Sequence, residues 1–145
     1  MLLSSKPPAA NGSGAHEATS HRDDGVGPPP PRLCALIVDP DRDTRDALRQ
    51  LLGNINIAVL EAETADEART CLAAHPVHIA LIEVNLPGHA GDRLATELAS
   101  AGIAPVLMCA DPYGVARARR TMFEMLRKPF TVKQALRAIV LALPA

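Results

Sequence analysis

From Leu33 onward, short apolar runs alternate with segments of helical periodicity five times over, and few folds accept that order. Leu33-Cys34-Ala35-Leu36-Ile37-Val38 is apolar throughout, as a strand covered on both faces must be. Beyond Asp39-Pro40-Asp41, Ala47, Leu48, Leu51 and Leu52 recur on one helical face, Arg42, Arg45 and Arg49 lie mostly off it, and Gly53 is read as the stop. Ile55 to Leu60 is read as a second strand. Thr64 and Glu67 have the spacing of a capping box, opening a helix that runs to about His75 before Pro76. Val77 to Ile82 leads into Glu83 as a third strand. The turn Leu86-Pro87-Gly88 precedes a helix from Asp92 to Ser100, closed by Gly102. Ala104 to Cys109 is a fourth strand, Asp111-Pro112 starts a short Arg-rich helix, and Met122 to Leu126 is a weaker fifth strand. A second capping box, Thr131 to Gln134, opens a last helix reaching about Leu143. Strict alternation of this kind predicts a parallel sheet with helices on both faces.

Residues 1–32 differ in texture. They are rich in Pro, Gly, Ser and Ala and end in Pro28-Pro29-Pro30-Pro31, so a disordered tail with a stiff polyproline spacer is expected there, and one domain over 33–145. With one Tyr, two Phe and no Trp, the core must be built from aliphatic side chains. The net charge of −1 provides no overall basic field toward nucleic acid or anionic lipid, and no apolar run has membrane-span length. Cys34, Cys71 and Cys109 form no CxxC pair and read as reduced, buried thiols, which together with the missing secretory signal predicts a cytoplasmic protein. His75, His78 and His89 are read as solvent-side residues, and no spacing suits zinc.

Ligands of such sheets collect beyond the carboxyl ends of the strands. Asp39 and Asp41 follow the first strand, Glu83 and Asn85 the third, Ala110 and Asp111 the fourth, and Lys128-Pro129 the fifth. Acids facing a lysine there suggest a hard cation with oxygen ligands, or an internal ion pair, and not an organic cofactor. No Gly-rich phosphate loop follows the first strand, which argues against a nucleotide-binding fold, and no nucleophile–base set supports a small enzyme.

Val38-Asp39-Pro40-Asp41, Glu83-Val84-Asn85-Leu86-Pro87-Gly88 with Gly91, and Lys128-Pro129-Phe130 together resemble the receiver domains of bacterial two-component response regulators. The resemblance implies a flavodoxin-like five-stranded sheet of order 2-1-3-4-5 and a place in phosphorelay signalling. It also implies a cis peptide at Lys128-Pro129 and a metal site from Asp39, the acceptor position and the Asn85 carbonyl. The departures cluster at that site. Pro40 stands where the family has a second acid, and Asp41 either reaches in or caps the first helix. Glu83 holds the place of the acceptor aspartate, its carboxylate displaced by about 1.5 Å, enough for a loss on the order of 100-fold in transfer. Ala110 stands where the family has Thr or Ser, with Cys109 its neighbour, and Met125 where it has a switch aromatic.

Three readings of Glu83 follow: an ion pair with Lys128 that holds the site shut, a mimic of the phosphorylated state, or a residual acceptor. The expected function is accordingly a non-enzymatic, stand-alone pseudo-receiver with no cofactor or weakly bound Mg2+. The alternative is a working phosphoacceptor fed by a histidine kinase or phosphotransfer protein. Arg117, Arg119, Arg120, Arg127 and Lys128 form a basic stretch, read first as a solvated face. By resemblance, the helix four–strand five–helix five face is where a protein partner or a second copy docks. The sequence runs out after the last helix, so output through another protein, with no nucleic acid or membrane, is expected.

Overall fold

The computed structural model describes residues 32–88 and 90–144; residues 1–31 of the proposed tail and His89 lie outside the described residues. In chain order the elements are β1 (Cys34–Val38), α1 (Arg42–Asn54), β2 (Ala58–Ala62), α2 (Ala65–Ala74), β3 (Ile79–Glu83), α3 (Gly91–Ser100), β4 (Ala104–Cys109), α4 (Pro112–Arg119), β5 (Glu124–Arg127) and α5 (Val132–Ala142). Every strand pair is parallel and the order is β2-β1-β3-β4-β5. This is the doubly wound, flavodoxin-like sheet.

Alternate residues of each strand feed two separate cores. Ala35, Ile37, Ile79, Leu81, Val106 and Met108 pack beneath Leu48 and Leu52 of α1 and Ala135, Ala138 and Ile139 of α5. Leu36, Val38, Ala80, Ile82 and Leu107 pack on the opposite face under α2, α3 and α4. Small residues such as Ala35, Ala80, Ala95 and Ala135 let the helices approach the sheet closely. β3 is buried along its whole length, which is why its sequence is a continuous apolar run until Glu83.

Local chemistry sets most element boundaries. Asp41 caps α1, Thr64 caps α2, Asp111 caps α4, and Thr131 with Gln134 forms the complete capping box of α5. At α2 the box is modified: Glu67 Oε1 accepts from the Glu63 amide, one residue before the cap. Gly102 has φ +85° and ends α3 in the left-handed region.

The second strand departs from the sequence reading. Gly53 does not stop α1; it lies inside the helix, and the chain turns at Asn56, with φ +63°. The Ile55 and Ile57 amides both close onto the Leu52 carbonyl, so β2 begins at Ala58 and not at Ile55. Asparagine tolerates the left-handed region through its short polar side chain, a turn signal that Gly53 concealed. The fifth strand is likewise displaced toward its C-terminus, to Glu124–Arg127. Of the cysteines, only Cys109 is fully buried; Cys34 and Cys71 are half-buried at the edge of the core. Burial pushes all three thiols up.

Candidate functional site

Three strand ends meet at the carboxyl edge of the sheet. Asp39 leaves β1 with its amide bonded to the Ala62 carbonyl and its own carbonyl accepting from Arg45 Nη1 at 2.8 Å. Glu83 ends β3, and Lys128 follows β5, its amide held by the Cys109 carbonyl at 2.8 Å. The Lys128–Pro129 peptide is cis, as the resemblance implies. Lys128 Nζ lies between the two acids, 2.7 Å from Asp39 Oδ2 and 2.6 Å from Glu83 Oε1.

The remaining carboxylate oxygens are also engaged. Asp39 Oδ1 accepts from the Asp41 amide at 2.8 Å, and Glu83 Oε2 accepts from the Asn85 amide at 2.9 Å. Both acids are buried, Asp39 to 1% exposure and Glu83 to 7%. Ion pairs at this depth form only where each charge finds close partners, and here one ammonium serves two carboxylates. Burial raises the Asp39 carboxyl above its ordinary value, with Lys128 offsetting only part of the effect. Burial alone would lower Lys128, but the hydrogen bonds it donates to Asp39 and Glu83 win and hold it above the usual lysine range.

Asp41, read as either ligand or cap, is the cap. Its Oδ1 accepts from the Asp43 amide and its Oδ2 from Thr44 Oγ1 at 2.6 Å, and the bond from Thr44 holds its carboxyl below the usual range. Pro40 has no side-chain donor atom. Asn85 turns its side chain away from Glu83, donating Nδ2 to Asp111 at 3.3 Å, while Asp111 Oδ1 also caps α4 at the Gly114 amide. Ala110 is exposed and borders a recess of about 400 Å³ that also touches Asp41, Thr44, Lys128 and Phe130. Met125 is half-buried in β5 opposite Leu107, against the core on the α4 side.

This donor set does not suit magnesium. Mg2+ needs oxygen ligands free to complete an octahedron, and the four side-chain oxygens of Asp39 and Glu83 already accept from Lys128 or from backbone amides. No group of three or more His, Cys, Asp or Glu side chains among the described residues could hold a metal ion. Between the two acids stands Lys128 Nζ.

One contributor, Arg45, lies outside the residues singled out for the site from sequence. Arg45 is buried to 8% and ties Asp39 to the sheet edge, bonding the Asp39 carbonyl, Glu61 at 3.0 Å and Glu63 at 3.6 Å. Its spacing ahead of Leu48 and Leu52 places it on the buried face of α1, a signal its charge obscured. Asp111, read as a strand-end residue and helix start, also clasps the loop after β3 through Asn85. The basic stretch is also not one solvated face: Lys128 belongs to the site, and Arg117 pairs with Asp92 of α3. His78 is exposed, yet its Nδ1 accepts from the Cys34 amide at 3.0 Å, a fixed structural contact.

A doubly wound sheet with two acids and a lysine at the carboxyl ends of β1, β3 and β5 defines a receiver-type module. Residues 35–140 match the response regulator receiver domain family, and the chain belongs to that family, a module of two-component signalling. The transcriptional regulatory protein AruR of Pseudomonas aeruginosa is 41% identical over 68 residues, 43% of this chain and 28% of AruR. The regulatory protein VanR of Enterococcus faecium is 29% identical over 73 residues, 50% of this chain and 32% of VanR. The matches thus span about a third or less of those longer relatives.

Among solved structures, the signal receiver domain of an HD domain-containing protein from Pseudomonas fluorescens superposes with TM-score 0.69 at 24% identity, covering 77% of this chain and 94% of that one. A CheY-like receiver domain from Methanospirillum hungatei gives TM-score 0.65 at 22% identity, with 76% and 92% covered. These likenesses establish the fold. Among the described residues no helix is long and apolar enough to cross a membrane.

Proposed function

We propose that this chain is a pseudo-receiver: a protein-binding module of two-component signalling whose acceptor position, Glu83, is closed by Lys128 and which works without a phosphorylation switch. One observation carries the reading. Lys128 Nζ bridges Asp39 and Glu83 at 2.7 and 2.6 Å, and backbone amides take the other two oxygens. A nucleophilic carboxylate needs a free oxygen in line with the incoming phosphorus and a cation to gather the phosphoryl oxygens. Glu83 offers neither, Pro40 removes one metal ligand, and Ala110 brings no hydroxyl to the transferred group. Residues 1–32 serve this module as a tail, and the domain is 33–145. Binding is assigned to the α4–β5–α5 face, with a protein as the partner and a location in the cytoplasm.

Magnesium is the discriminating probe. Titrating the full chain with magnesium chloride at millimolar concentration leaves the backbone amide resonances of Asp39, Glu83 and Asn85 in place. Saturable shifts at those three positions would contradict the closed site.

A further inference from the structure

Charge is divided along this chain. Residues 32–111 carry twelve Asp or Glu and six Arg, whereas residues 112–145 carry seven Lys or Arg against Glu124 alone. Many cations on the acidic side find carboxylates: Arg42 with Asp46, Arg45 and Arg49 with Glu61, Arg69 with Glu97. Arg117 and Lys128 reach across to Asp92, Asp39 and Glu83. Arg119, Arg120, Arg127, Lys133 and Arg137 make no ion pair among the described residues. All five stand on or beside α4, β5 and α5.

Among these cations lies a groove of about 350 Å³ between the edge strand β5 and α5. Met125, Leu141 and the buried Leu126 and Ala138 form its apolar lining, and Arg127, Arg137 and Glu124 its charged lining. Leu141 is 55% exposed. Apolar surface flanked by two cations that find no carboxylate among the described residues is costly to leave in water and favours an acidic partner.

We propose that this groove docks an acidic, amphipathic segment of a partner protein, its apolar side chains filling the space between β5 and α5 and its carboxylates meeting Arg127 and Arg137. The inference rests on the binding-module reading and adds the chemistry of the partner. Exposed ion pairs supply mainly steering and selectivity, while the apolar contacts supply affinity. A second copy set face to face would bring one cationic surface against another. A phosphate backbone gains nothing from the apolar lining.

The test is an amide-resolved NMR titration of the full chain with three probes: a peptide of alternating leucine and glutamate, its leucine–lysine counterpart, and a mixed-sequence DNA duplex. The glutamate peptide shifts resonances around Met125, Arg127 and Leu141; the other two probes do not. Reversing both charges (Arg127→Glu with Arg137→Glu) weakens the glutamate peptide about tenfold or more, and Arg137→Glu alone acts in the same direction. Tighter binding of the duplex, shifts confined to other faces, unchanged affinity in the double variant, or self-association through this face would each overturn the proposal. Repeating the titration with an acyl-phosphate donor separates the two claims. Binding seen only with the donor contradicts the phosphorylation-independent reading and keeps the groove; absence of binding in both conditions contradicts the groove alone.

Discussion

Lys128 Nζ bridges the Asp39 and Glu83 carboxylates. It is the sole cation within hydrogen-bond reach of the Asp39 and Glu83 carboxylates among the described residues, and both acids are almost dry. Removing one partner of such a cluster leaves charge buried without compensation, so Lys128→Met is expected to destabilise the fold by about 3 kcal/mol in urea unfolding at neutral pH. The pH dependence follows from the raised Lys128 value. The folded form holds the proton more tightly than the unfolded chain, so this stabilisation is fully present below the ordinary lysine value of 10.5. It is lost as pH rises through the folded value above it. Unfolding midpoints of the wild type and Lys128→Met therefore converge on the alkaline side of pH 10.5, and a constant gap there would contradict the assignment.

At the scale of elements, two glycines test how closely the helices meet the sheet. A Cβ on Gly91 would stand 2.3 Å from the Glu83 carbonyl oxygen and 2.5 Å from that of Val84, both backbone atoms that cannot swing aside. Gly91→Ala is expected to cost about 3 kcal/mol by displacing the start of α3, read as a lowered denaturant midpoint. Gly53 meets nothing within 4 Å and lies in a helix, so Gly53→Ala should stabilise by about 0.5–1 kcal/mol. A loss there would restore Gly53 as a helix terminator. Asp111 joins two elements by capping α4 and holding Asn85. Asp111→Ala should cost about 1 kcal/mol and speed amide exchange within α4 more than within α5.

For the molecule as a whole, the order of elements was legible because each level of the sequence repeats the same message. Buried runs such as Ile79-Ala80-Leu81-Ile82 are strands by composition, and Thr64, Asp111 and Thr131 announce the helices that follow them. The acids and the lysine were legible as strand-end residues. Their joint closure was not, since which oxygen meets which nitrogen depends on the packing of three strands distant in sequence. Arg45 shows the opposite failure: its helical spacing pointed inward, but a charged side chain is rarely fully buried unless paired, and its partners Glu61 and Glu63 lie on a neighbouring strand and its loop. The displaced starts of β2 and β5 reflect turn geometry at Asn56 and after Arg120, where apolar residues continue into the turn and hide the boundary. Family membership alone implies phosphoryl acceptance, whereas the proposed reading, resting on Glu83 and its bond to Lys128, is that this site does not accept it; activity is decided at the site.

The most direct measurement of the proposed reading is the intact mass of the full chain after incubation with a small acyl-phosphate donor and magnesium, with Glu83→Asp treated in parallel. The closed-site account predicts that the wild-type mass does not change. A single added phosphoryl group on the wild type, mapped to Glu83 or Asp39, would contradict it and make this chain a working phosphoacceptor.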